Sequence, residues 1–177
     1  MATVISHAVI PLTLGIILSR ERYSWRLIVA GMLCAMIPDL DVIMFKFGVA
    51  YESQFGHRGF THSLIFAAGV AVVLAGFSKY WRVSVIRVFA FIFVATASHG
   101  ALDALTTGGL GVEFFWPISQ ERYFFPEQFI RVSPIGLRNF LTARGWEVVK
   151  SELLTIWLPC LAIISSTKIY ILLRSKP

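Results

Sequence analysis

The chain has 177 residues, 56% of them hydrophobic and only 15% charged, with sixteen Lys and Arg against ten Asp and Glu. That length suits one domain, 1–177, and a soluble domain would carry about a quarter charged residues, so the composition excludes an ordinary water-soluble globule and points to a chain solvated by lipid. The net charge of +6 does not imply nucleic acid, because the basic residues flank apolar segments instead of forming a basic stripe.

The first apolar segment, Ala2 to Leu18, is stopped by Arg20, Glu21 and Arg22. It has neither a basic leader region nor an A-x-A cleavage site, which predicts a retained helix and not a signal peptide. The second, Leu27 to Ile37, ends at Pro38 and falls short of the roughly 20 residues of a full span, so it is expected to continue through Val42 to Val49 as a broken helix. The third runs from Thr61 to Phe77, with Thr61 and Ser63 placed to cap it. Val83 to Leu105 is the fourth. A polar, aromatic and proline-containing stretch, Thr106 to Lys150, predicts an irregular extramembrane cap from Gly108. There Gly108, Gly109 and Gly111 permit a tight reversal, and Trp116, Tyr123, Phe124 and Phe125 read as an interfacial aromatic belt. The last helix, Leu153 to Leu173, ends in Arg174 and Lys176, with a kink expected at Pro159. Cys34 and Cys160 sit in apolar runs and read as small apolar side chains, not as a disulfide. The expected fold is all-α: a polytopic membrane bundle of four to five apolar helices.

With five crossings, one side holds Arg20–Arg26, Lys79–Arg87 and the C-terminal end, with nine basic residues and one acid. The other side has seven basic residues and nine acids. The excess of Lys and Arg marks the first side as cytoplasmic, so the long connections face outwards, into the periplasm of a bacterium.

Every His and Asp in the chain falls in four places: His7, the pair Asp39 and Asp41 after Pro38, His57-Arg58-Gly59-Phe60-Thr61-His62-Ser63, and His99-Gly100-Ala101-Leu102-Asp103. The last three lie at segment ends on the outward side, and His7 lies about two turns from that face. His99 and Asp103 are i and i+4, so on a helix they share a face. In an extended turn, Asp39 and Asp41 can point towards one pocket. Imidazole with carboxylate suits zinc, manganese or ferrous iron. Seven candidate ligands, His7, Asp39, Asp41, His57, His62, His99 and Asp103, exceed the four of a structural zinc site and leave room for a second metal or for supporting partners. Bland roles exist for each: a hydrogen-bonded core histidine at His7, a turn or cap at Asp39, an Asp that only orients its His at Asp103. Burying ionisable groups beside lipid nevertheless costs several kcal/mol unless they pair or bind metal, and four clusters on one side favour a shared site.

The stretches TVISHAVIPL, AMIPDLDVIMFKFGVAY, FGHRGFTHSLIFA, SHGALDALTTGGLGV, FFWPIS with RYFFP, and VKSELLTIWLP resemble the YdjM family of bacterial inner-membrane proteins, described as membrane-bound metal-dependent hydrolases. HRGFTHS followed at a distance by HGALD is the specific part. The resemblance implies a plasma-membrane location and a hydrolase, and brings no substrate with it.

The leading expectation is therefore metal-assisted hydrolysis at the outer membrane face, on a phosphoester or lipid substrate, with Asp103 in the reacting centre. Arg58 is expected either to neutralise a phosphate-like group in the transition state or to anchor the interface. A proton or metal relay, or a metal of purely structural use, are the rivals. Ser63 with His62 makes a poor nucleophile and base, since neighbours on a helix point about 100° apart.

Overall fold

A computed structural model describes residues 1–18 and 23–174. The predicted stop at Arg20, Glu21 and Arg22 and the terminal Lys176 lie outside the described residues. Within them the chain is helical, with no strand beyond two isolated bridges, Thr106 with Ile130 and Val112 with Tyr123.

The first apolar segment divides into α1 (Val4–His7) and α2 (Val9–Ile17), with Ala8 between them. Pro11 accounts for the break: it has no N–H to donate to the carbonyl of His7, four residues earlier. Helix α3 (Trp25–Cys34) starts at Ser24, whose hydroxyl accepts from Leu27 N–H. The chain then narrows into a 3-10 helix, Ile37–Phe47, which ends where Gly48 adopts the left-handed conformation, φ 78°. A single 3-10 turn, Phe60–His62, leads into α4 (Leu64–Ala75), followed by α5 (Ser78–Trp81) and α6 (Val85–Ala104). Beyond the cap come α7 (Leu137–Phe140) and α8 (Ala143–Glu152). The chain continues without a break through a π-helical stretch, Leu153–Trp157, into α9 (Leu158–Arg174). Pro159 has no N–H to donate to the Thr155 carbonyl, and the helical ladder widens to the π form over Leu153–Trp157 just before it. The cap is irregular only as far as Gly136; Leu137–Phe140 and Ala143 onwards are helix.

Three helical stretches are long and apolar enough to cross a bilayer: Trp25–Phe47, Val85–Ala104 and Ala143–Arg174. The sequence predicts four to five. The difference lies in Val4–Ile17 and Leu64–Ala75, which are apolar but shorter. At 1.5 Å per residue, α4 reaches about 18 Å against about 30 Å of hydrocarbon.

Helix α6 packs against α4, α3 and α2. Ala67, Ala71 and Ala75 recur every fourth residue on α4 and are buried, so α4 closes on the buried Val88, Phe91, Ile92 and Ala95 of α6. Small residues matter at such a contact, because lipid is as apolar as leucine and helix association then rests on close approach. Leu27, Ile28 and Cys34 of α3 complete this core. A second cluster, Val9, Leu102, Ile130, Ile156 and Cys160, ties α9 to α2, α6 and the cap. Both cysteines are buried and unbridged.

Candidate metal centre

The site forms where the 3-10 helix, the loop after it and the C-terminal turns of α6 meet α1. A 3-10 helix turns about 120° per residue, so Asp39 and Asp41 flank it, both buried, while Leu40 between them is 60% exposed. The two carboxylates are thus separated by a tight helix, not by the extended turn expected from Pro38-Asp39-Leu40-Asp41, and they face different neighbours. Asp39 faces α1 and α6; Asp41 faces the 57–62 segment. His99 and Asp103 lie one α-helical turn apart on α6, and both are fully buried. His7, at the end of α1, is also fully buried and stacks on His99, with ring centroids 3.7 Å apart.

Asp39, His62, His99 and Asp103 offer ligand atoms that all lie within 4.8 Å of one another, so these buried residues are placed to hold a metal ion. His99 Nδ1 lies 2.7 Å from the carbonyl oxygen of Ala35, which can only accept, so Nδ1 carries a proton and Nε2 is aimed inwards. There Nε2 meets His62 Nε2 at 3.0 Å and Asp39 Oδ1 at 3.4 Å. Neither oxygen of Asp39 has a hydrogen-bond partner, and neither ring nitrogen of His7 has one. His7 Nε2 lies 3.6 Å from Asp103 Oδ1 and 3.9 Å from Asp39 Oδ2. Buried polar groups are almost always bonded, so unpartnered acceptors converging on one point fit a cation there.

A second set, Asp41, His57 and His62, also has its ligand atoms within 4.8 Å. It shares His62 with the first. Asp41 Oδ1 meets His57 Nδ1 at 2.7 Å; Oδ2 accepts from Thr61 Oγ1 at 2.7 Å and faces His62 Nδ1 at 3.3 Å. Burial disfavours charge on His62, but the carboxylates of Asp103 and Asp41 outweigh it and raise its pKa to about 9. At His57 burial prevails over Asp41, and the pKa is lowered. The same cage of carboxylates that draws a proton to His62 favours a cation in its place.

Arg58 is neither open to the site nor at the interface. It is fully buried with φ 66°, a conformation costly for a non-glycine residue, and every nitrogen of its guanidinium is engaged. Nε donates to Asp103 Oδ2 at 3.0 Å, Nη1 to the carbonyls of Gly108 and Leu110, and Nη2 to Thr106 Oγ1. Gly109, at φ 83°, lets the 108–110 reversal wrap this group, and a Cβ there would come 2.7 Å from the Tyr51 hydroxyl. Asp103 Oδ1 accepts from the Ala2 backbone N–H at 2.9 Å. Ser63 caps α4, accepting from Phe66 N–H and donating to the Phe60 carbonyl, so its hydroxyl is committed to the backbone. Trp116 of the aromatic stretch packs edge-on to Phe60 and donates to Gln54.

Two supports escape the sequence reading. Glu152 is buried where α8 passes into the π-helical stretch, and accepts from Thr3 N–H, Thr3 Oγ1 at 2.6 Å and Ser6 Oγ at 2.7 Å, strapping α1 to the C-terminal helix. An acid at the edge of a long apolar helix is itself a signal. Arg122 pairs with the buried Glu113 at 2.7 Å and donates to the carbonyls of Tyr51, Ser53 and His57, which fixes the loop that carries His57 and Arg58. Nothing local in the sequence marks it out.

The sequence pattern described as YdjM inner membrane protein matches residues 1–174. Inner membrane protein YbcI of Escherichia coli strain K12 is 48% identical over 160 residues, covering 90% of this chain and 92% of that protein. The uncharacterized protein YvsG of Bacillus subtilis strain 168 is 32% identical over 92 residues, covering 48% of this chain and 54% of its own. No solved structure matches.

Proposed function

We infer that this chain, which belongs to the YdjM inner membrane protein family, is a membrane-bound metal-dependent hydrolase. One observation carries the reading: His99 Nε2 and the carboxylate of Asp39 face each other across 3.4 Å inside a buried site that His62 and Asp103 also line. Imidazole nitrogens and carboxylate oxygens gathered so closely away from water form a donor set for a cation. Asp39, His62, His99 and Asp103 would hold it, with His7 beside them, and their mixed nitrogen and oxygen donors suit zinc, manganese or ferrous iron. The chemistry such an ion would supply when bound is Lewis acidity, which makes hydroxide available from water at neutral pH.

The remaining residues orient this set. Asp41 holds His62 through Nδ1 and gathers His57 and Thr61 behind it. Arg58 holds Asp103 in direction through its Nε–H, which makes it a positioning residue and not a contact for substrate. The ester that is cleaved, a phosphoester or a lipid-linked one, reaches the site at head-group level on the non-cytoplasmic face, as the distribution of Lys and Arg favours. A proton or metal relay would need titratable groups continuing along the bundle. Among the described residues, the buried polar side chains deeper in the helices are the hydroxyls of Thr13 and Thr96. That favours hydrolysis.

The test is elemental analysis of the purified protein beside His99→Ala, paired with a screen of phosphoester and lipid substrates. The reading requires bound divalent metal, lost in the variant, and turnover abolished by chelation and restored by metal. Metal without turnover on any ester would make the ion structural and overturn it.

A further inference from the structure

A cavity of about 850 Å³ opens beside the candidate metal centre. Its walls are hydrocarbon: Val4 and Ile5 of α1, Val42 of the 3-10 helix, Phe140 of α7, Val149 of α8 and Leu153 of the π-helical stretch. Asp39 lines the same space, and it is the candidate ligand whose two oxygens lack partners. The other carboxylate at the wall, Glu152, is taken up by Thr3 and Ser6. Among the described residues no Lys, Arg or His lines the cavity, whose wall includes Met1.

The position of the cavity follows from the C-terminal helix. Leu153 to Arg174 extends about 33 Å at 1.5 Å per residue, close to the roughly 30 Å of a hydrocarbon core. Placing Leu153–Arg174 in the hydrocarbon puts Glu152, the acid at its edge, at the boundary and the cavity where lipid head groups meet acyl chains. Its volume falls within the roughly 300–1,000 Å³ of small-molecule sites. A water-soluble anion would find no cationic side chain on these walls and would forfeit its hydration. A hydrocarbon chain meets only matching surface there and fills space that the side chains leave open.

We propose that the cavity receives an acyl chain of a bilayer lipid, and that the substrate is a lipid-borne ester whose polar head sits at Asp39. The reaction rests on the hydrolase reading above; the chain-binding rests on the cavity alone. Hydrolysis would consume one water: its oxygen bonds to the ester's phosphorus or acyl carbon, the bond to the leaving oxygen breaks, and that oxygen takes the proton.

The experiment uses the full chain in nanodiscs containing a phospholipid with a photoactivatable diazirine in its acyl chain, followed by digestion and mapping of the label. Label on the peptides carrying Val4, Ile5, Val149 and Leu153 should exceed that on Val72 and Val73, exposed residues of α4, by several-fold. Val149→Trp, which fills the cavity, should remove the excess while metal content matches wild type. Unlabelled phospholipids added to the nanodiscs should compete progressively less well as their acyl chains are shortened and leave the cavity part-filled, a comparison that needs no variant. Cavity labelling no higher than at Val72 and Val73, or competition independent of chain length, overturns the proposal. Photolabelling needs neither metal nor turnover, so its failure is read separately from failure of the hydrolase reading.

Discussion

His62 and His99 hold their Nε2 atoms 3.0 Å apart, and the bond from His99 Nδ1 to the Ala35 carbonyl leaves at most one proton between them. Without metal that proton belongs to His62, pinned by Asp41 and Asp103. With metal, both lone pairs turn to the cation. Replacing His99 by Ala removes one donor and the ring on which His7 stacks. Bound metal in His99→Ala is expected to fall below about a tenth of the wild-type stoichiometry, with membrane insertion intact, since a lost ligand costs at least the 10–100-fold seen for supporting partners. Inductively coupled plasma analysis of protein extracted from membranes checks this. Full occupancy in the variant would remove His99 from the ligand set.

Asp39 and Asp41 are two residues apart and should respond oppositely. Asp39 has no hydrogen bond within the protein, so Asp39→Asn relieves an unpaired buried charge. Metal-free stability should hold or rise, while metal binding is lost. Asp41 accepts from Thr61 and pairs with His57 and His62, so Asp41→Asn should cost about 1–3 kcal/mol without metal and weaken metal binding about 10–100-fold. Unfolding in detergent with and without chelator separates the two. Equal destabilisation by both variants in chelator would contradict the assignment.

Arg58 offers a test of positioning against catalysis. Its guanidinium bonds Asp103, Thr106 and two backbone carbonyls, a pattern that the single ammonium of lysine cannot copy. Arg58→Lys should therefore destabilise the protein nearly as much as Arg58→Ala, by about 3–5 kcal/mol, because each leaves Asp103 without its fork. A lysine variant of wild-type stability with reduced turnover would instead place Arg58 against substrate.

The residues of the site were legible because chemistry is sparse in this chain. With His and Asp confined to four short stretches, a shared location follows from the cost of burying them singly, and i,i+4 spacing at His99 and Asp103 carries the face directly. Geometry between the stretches was not legible. Hydropathy marks Asp39-Leu40-Asp41 as the end of an apolar run but does not distinguish a turn from a 3-10 helix, which depends on how Ile37–Phe47 packs. The count of four to five spans is not confirmed for a related reason: α4 is apolar enough for a membrane, yet Ser63 and Gly76 bound it at twelve residues. Arg122, paired with Glu113, acts through backbone carbonyls 65–71 positions away, and no local pattern announces such a contact.

Glu152 supplies the last prediction. Its carboxylate accepts from the N–H and hydroxyl of Thr3 and the hydroxyl of Ser6, and Trp157 Nε1 donates to Ser6 at 2.9 Å. These bonds fasten the four-residue α1 to the C-terminal helix, and α1 carries His7 into the site. A helix that short has no stability of its own, so its order depends on the strap. Glu152→Ala leaves three donors unpaired and should cost α1 about 1–3 kcal/mol of local protection, with Glu152→Gln milder because its carbonyl still accepts. Hydrogen exchange at Ser6 and His7 amides should accelerate accordingly, while amides at the centre of α6 stay protected. Metal retention should weaken in step with that opening. Loss of metal without faster exchange would instead place Glu152 in direct contact with the ion.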